Sequence, residues 1–180
     1  HWCHMKDCLT ILQRLQKVGV TPSGACGDIM RNITGCPVAG VDKHEYFDAT
    51  PILQKINHYM TGRPEFSNLP RKYKICISGC RDWCSLPEIN CVSLVGAERR
   101  VNGSVEPGFD LRVGGGLSTV PMLSQRLGAF VPLDKAQDVV VRITEIYRDT
   151  PQCREKRIRS RFKFLIADWG PQKFRAVLEE

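Results

Sequence analysis

The chain has 180 residues, 42% of them apolar, which is enough to bury the core of one domain. Lys and Arg number 26 against 19 Asp and Glu, and this excess favours an anionic partner: nucleic acid, a membrane surface or an anionic ligand. No run of about 18 apolar residues occurs, which excludes a membrane-spanning helix. No signal peptide is legible, and an opening on His1 in place of Met suits a fragment or a processed form.

In chain order, Asp7 is placed to cap a first helix with apolar positions Cys8, Ile11, Leu12, Leu15 and Val18, ended by Gly19. Residues 21–40 are dense in Gly, Pro and small polar residues and read as a long loop, either a binding loop on a scaffold or an ordinary connection. Thr50-Pro51 starts a second helix whose buried stripe is Ile52, Leu53, Ile56, Tyr59 and Met60. The stretch Leu69-Pro70-Arg71-Lys72-Tyr73-Lys74-Ile75-Cys76-Ile77-Ser78 alternates with the period of a strand. Tyr73, Ile75 and Ile77 share one face, and Lys72, Lys74 and Cys76 the other. Two lysines on one side of a strand suit either a solvated edge or a shared anion.

Further strands are expected at residues 89–95 and 109–113, with Asn102-Gly103 as a hairpin turn. The fold class that follows is α+β, an antiparallel sheet of residues 73–78, 89–95 and 109–113 covered by helices. Gly114, Gly115 and Gly116 follow the last strand and could let backbone N–H groups cradle an anion. Asp134 is placed to cap a helix over 135–148, and another helix is expected over about 154–168, with Ile158, Phe162, Leu165 and Ile166 inward. Arg154, Arg157 and Arg161 would line one flank of its stripe, where arginines reach a partly buried anion. Gly170-Pro171 breaks it, and Pro171 opens a short last helix.

Nine cysteines at irregular spacings suit reduced, mostly buried thiols in an intracellular protein more than a disulfide framework. Cys80-x3-Cys84 could be half of a metal or cluster site, but no second close pair completes it, and no metal ligand is assigned. His1, His4, His44 and His58 read as exposed or structural.

Five blocks resemble the siroheme-dependent sulfite and nitrite reductases, the assimilatory ferredoxin-dependent type most closely. They are Arg31-Asn32-Ile33-Thr34-Gly35-Cys36-Pro37, Leu69 to Lys74, Gly108-Phe109-Asp110-Leu111-Arg112-Val113-Gly114-Gly115-Gly116-Leu117-Ser118, Arg126 to Leu133, and Phe164-Leu165-Ile166-Ala167-Asp168-Trp169-Gly170. The resemblance implies a nitrite/sulfite reductase siroheme-domain-like fold over 23–180, the first of two homologous regions, with 1–22 as the end of a ferredoxin-like half-domain. It implies siroheme, a pigment with eight carboxylates, and a 4Fe-4S cluster whose ligands lie outside this chain. Arg31, Lys72 and Lys74 sit where the family's substrate-binding cations do. Arg71, Thr34, Gly114, Gly115, Gly116 and Arg154 are implied as siroheme-binding. The implied reaction is reduction of sulfite to sulfide in the cytoplasm, with ferredoxin or a similar donor and the remaining half of the enzyme as partners, and neither nucleic acid nor membrane. Lys74 favours sulfite, since plant-type nitrite reductases tend to carry asparagine there.

Three departures stand out. The family's further upstream arginine and its Cys-x5-Cys cluster half have no counterpart here, and Asn90-Cys91 replaces a frequent Asn-Asp. Reduction of nitrite to ammonia, a non-catalytic siroheme-binding fragment and a nucleic-acid module remain as alternative readings.

Overall fold

The computed structural model describes residues 2–180; His1 lies outside them. Helix α1 (Cys8–Lys17) is followed by an irregular segment, then α2 (Thr50–Met60). Strands β1 (Ile75–Ser78), β2 (Val92–Val101), β3 (Ser104–Val113) and β4 (Gln125–Pro132) lie side by side in that order. Helices α3 (Ala136–Asp149), α4 (Gln152–Glu155) and α5 (Phe162–Glu179) complete the chain.

The class is α+β, with helices on the sheet, but the sheet is mixed. β2, β3 and β4 are antiparallel, whereas β1 runs parallel to β2 with Ile75 opposite Val92 and Ser78 opposite Val95. The expectation of an antiparallel first pair is corrected. The link through 79–91, with its 3₁₀ turn at Pro87–Ile89, is long enough to bring the chain back to the same end of the sheet. The reversal comes later, at Asn102 (φ 50°) and Gly103 (φ 84°), as an Asn-Gly hairpin requires. β4 was not foreseen. Gly128 and Ala129 weaken its strand propensity, although Leu127 and Val131 alternate inward.

β1 is buried on both faces. Its outer edge is not bare: Met30 and Thr34 bridge in parallel to Tyr73 and Cys76, so the loop of 21–40 donates a fifth, irregular strand. This covers the edge beside Lys72, which is half-buried, while Lys74 stays exposed. Inward, Tyr73 stacks on Tyr147 of α3 with centroids 5.4 Å apart, and Phe162 of α5 meets both edge-on.

The helix expected over 154–168 is also corrected. α4 stops at Glu155, Lys156 and Arg161 are extended, and Ile158 is 82% exposed instead of inward. Six cations between 154 and 163 would repel one another at helical spacing. The break sends them to separate partners: Arg157 to Asp28, Arg159 to Asp168 and Arg161 to the Leu117 carbonyl. Gly170 (φ 75°, ψ 160°) interrupts α5 where Gly170-Pro171 was expected to. α1 forms as expected but buries no residue, leaving its apolar side outward. Neither Asp7 nor Asp134 makes a helix-capping bond; Asp134 lies in a 3₁₀ turn ahead of α3.

All nine cysteines are free. Four of them, Cys76, Cys80, Cys91 and Cys153, are buried, so the expectation of mostly buried thiols holds only in part.

Candidate anion site

The strand of 30–34 and the run 71–74 lie side by side because their backbones are bonded. Arg31 N–H donates to the Tyr73 carbonyl (2.7 Å), Tyr73 N–H to Ile29 (3.1 Å) and Ile77 N–H to Thr34 (2.9 Å). That pairing brings Arg31 beside Lys72 and Lys74. From the other side comes Arg161, at the start of α5. Lys72 is half-buried, and its ammonium is held below the ordinary lysine range first by desolvation, then by the charges of Arg161, Arg71, Arg31 and Lys74. No carboxylate is among the charges acting on it. Five cations thus share one shelf, and among them Arg71 is ion-paired, to Asp28.

One hydroxyl holds the two arms of the shelf. The Tyr147 O–H lies 2.7 Å from the Ser160 carbonyl and 3.3 Å from that of Arg71. Asp28 adds a second tie, accepting from Arg71 (2.9 Å) and Arg157 (2.5 Å). Although burial would raise it, these bonds hold the Asp28 carboxyl below its usual range.

The glycine triplet has a different local reason from the one expected. The N–H groups of Gly114 and Gly116 are spent on the Cys91 and Met122 carbonyls. A Cβ on Gly115 would stand 2.3 Å from the Glu88 carbonyl oxygen, and one on Gly114 would stand 2.8 Å from the Ile166 side chain. These two glycines serve close packing. Gly116 faces the shelf: a Cβ there would stand 2.8 Å from a guanidinium nitrogen of Arg161. Lys163, 2% exposed, donates to the carbonyls of Gly116 (3.3 Å), Leu117 (3.0 Å) and Val120. Desolvation and Arg161 keep it below the ordinary lysine value. The Arg161 Nε is buried without a partner.

Of the residues expected from sequence, Arg31, Arg71, Lys72 and Lys74 come together. In this structure Arg31 folds onto the carbonyls of Ala25 and Gly27. Thr34 lies one pairing further along, its hydroxyl 3.3 Å from the Ile75 carbonyl. Arg154 does not join the shelf, since its guanidinium is bonded to the Asn68 and Arg148 carbonyls. Arg161 and Lys163 were missed as site residues. The arginine flank of 154–161 was the signal for Arg161, but a continuous helix gave no reason to separate it from Arg154.

The shelf fits a polycarboxylate: it holds excess positive charge and a buried guanidinium N–H without a partner, with the Arg161 guanidinium seated against Gly116. A four-thiolate cluster does not fit this chain alone. Among the described residues, the one set of three or more His, Cys, Asp or Glu ligand atoms in mutual reach contains a single cysteine.

Residues 26–180 match the family described as the nitrite and sulphite reductase 4Fe-4S domain, and the chain belongs to that family. It is 44% identical over its whole length to sulfite reductase (ferredoxin) 1 of Mycolicibacterium paratuberculosis, covering 31% of that protein. It is 42% identical over 99% of its length to the assimilatory ferredoxin-dependent nitrite reductase of Haloferax mediterranei, again covering 31%. The solved structure of the Mycobacterium tuberculosis NirA protein superposes with a TM-score of 0.89 at 45% identity, covering 99% of this chain and 32% of that one. The chain therefore spans about a third of the length of these relatives. Dissimilatory sulfite reductase I, at 12% identity and a TM-score of 0.76, shares the fold.

Proposed function

We propose that this chain is the first siroheme-binding region of an assimilatory, ferredoxin-dependent sulfite reductase of the cytoplasm. The cation shelf around Lys72, on which no carboxylate acts at that lysine, carries the reading. Siroheme, with a 4Fe-4S cluster ligated outside this chain, would supply the iron that receives the substrate and the electrons that reduce it. Arg71, Arg161 and, alongside, Thr34 would meet siroheme carboxylates, with Gly116 leaving room for the Arg161 guanidinium. Gly114 and Gly115 shape that loop, and Lys163 holds it by its carbonyls. The Nζ atoms of Lys72 and Lys74 would neutralise a bound oxyanion and deliver protons to oxygen leaving as water. Arg31 is the third substrate-side cation, once its guanidinium leaves the Ala25 and Gly27 carbonyls.

Sulfite is favoured over nitrite by Lys74, because sulfite carries the greater negative charge at neutral pH and a second ammonium lowers the energy of bringing it in. A nucleic-acid interface is disfavoured, because Phe162 and Phe164, the aromatics among the 154–163 cations, are buried and offer no stacking platform.

The test is Lys74→Asn in the complete enzyme containing this region, assayed with both anions under one electron donor. One charge-assisted contact contributes roughly 1.5–3 kcal/mol, so sulfite turnover should fall about tenfold or more and nitrite turnover much less. An unchanged sulfite-to-nitrite ratio removes Lys74 from the substrate site.

A further inference from the structure

Past the opposite end of β1 from the lysines, a second group of polar side chains converges. After Ser78 the chain turns through Gly79 and Cys80. The Tyr46 N–H donates to the Gly79 carbonyl at 2.9 Å, and a Cβ on residue 79 would stand 1.9 Å from the Phe47 carbonyl oxygen. Gly96 of β2 presses from the other side, where a Cβ would stand 2.3 Å from the Gly79 carbonyl oxygen. These two glycines let Cys80 and Asp82 lie against the loop that carries Asp42 and His44. One oxygen of Asp42, one of Asp82 and the Cys80 sulphur all fall within 4.8 Å of one another. His44 Nδ1 is 3.8 Å from Asp42 Oδ1 and 3.6 Å from Asp82 Oδ2. Among the described residues, no Lys or Arg forms an ion pair with either carboxylate. Cys80 is 2% exposed, and its sulphur lies 3.5 Å from the Ser78 hydroxyl, which donates to the Cys80 carbonyl (3.1 Å) and fixes the turn that carries the thiol.

We propose that Cys80, Asp42, Asp82 and His44 bind one transition-metal dication of the zinc class. A thiolate and an imidazole with two carboxylates suit a borderline-soft tetrahedral ion and disfavour Mg²⁺ and Ca²⁺. Tetrahedral zinc donors stand roughly 3.3–3.6 Å apart; Asp42, Cys80 and Asp82 fall within 4.8 Å of one another, and rotation of the exposed His44 side chain, beside both carboxylates, would bring in the fourth donor. Binding releases the Cys80 thiol proton to solvent, and no redox step is involved. Cys84 is exposed and its sulphur lies against the Asp82 carbonyl (3.9 Å), outside the donor set. The site is independent of the cation shelf.

The protein, reduced and freed of metal by a chelator, is titrated with Co²⁺ and then Zn²⁺. The expected result is one equivalent bound, with the visible bands of a tetrahedral cobalt ion and a near-ultraviolet thiolate-to-cobalt band, both removed by one equivalent of Zn²⁺. Cys80→Ser abolishes the thiolate band. Asp82→Asn, at a residue exposed enough not to disturb folding, weakens Zn²⁺ binding by roughly tenfold or more. Cys84→Ala changes neither, and circular dichroism checks each variant's fold. Absence of saturable binding, an octahedral spectrum without a thiolate band, a band that survives Cys80→Ser, or dependence on Cys84 would each overturn the site.

Discussion

Lys72 shows how a single side chain reports on its surroundings. Desolvation and four neighbouring cations lower its proton affinity in the folded state, so at alkaline pH the unfolded chain holds that proton more readily. The unliganded protein should therefore gain stability as pH rises from the lowered value towards the ordinary lysine range. An oxyanion favours the ammonium, so its affinity should fall over that window, and Lys72→Met should flatten both profiles; thermal melts with and without inorganic phosphate measure this. Asp28 has the opposite sign. Its carboxyl is held low by Arg157 and Arg71, so its contribution is present above the ordinary carboxylate range and is lost as pH falls through the lowered value. Asp28→Asn should lower neutral-pH stability by about 1 kcal/mol and reduce the acid sensitivity of unfolding. If the variant melts at the wild-type temperature at pH 7, the Asp28 pairs contribute nothing.

At the scale of elements, Tyr147 joins α3 to both arms of the shelf. Tyr147→Phe keeps the aromatic stack but leaves the Ser160 carbonyl without its buried donor, which should cost about 1–2 kcal/mol in denaturant unfolding. It should also weaken anion binding more than a core substitution of equal ΔΔG, because Arg71 and Arg161 lose their common anchor. Periodicity revealed β1 and the amphipathic helices α2 and α3, since a buried stripe leaves a local pattern. The parallel pairing of β1 was hidden, because it depends on the path of 79–91 and on an edge covered by the irregular segment of 30–34. The break after α4 was hidden for a similar reason. Apolar spacing favoured one helix, and the partners that separate Arg157, Arg159 and Arg161 lie far along the chain. Lys72, Lys74 and Arg71 were legible as chemistry because they are adjacent in sequence. Arg161 was not, as only the fold brings it to them.

For the whole molecule, the proposed function makes the shelf half of a site, with Lys74 and Thr34 exposed and no carboxylate against Lys72. The 180-residue chain purified by itself should bind siroheme weakly or not at all and should not reduce sulfite; full turnover with no partner added would refute the first-region reading. Concentrated charge of one sign also has a consequence during the protein's lifetime in a cell. A ligand that binds only the folded state adds roughly 2.7 kcal/mol at a hundredfold excess over its dissociation constant. Siroheme bound at the shelf, as proposed, would then act on abundance as well as chemistry. Protein made while the pigment is scarce would open more often, meet proteases sooner and be cleared, so the cell's stock of the enzyme would follow its supply of tetrapyrrole without any dedicated regulator.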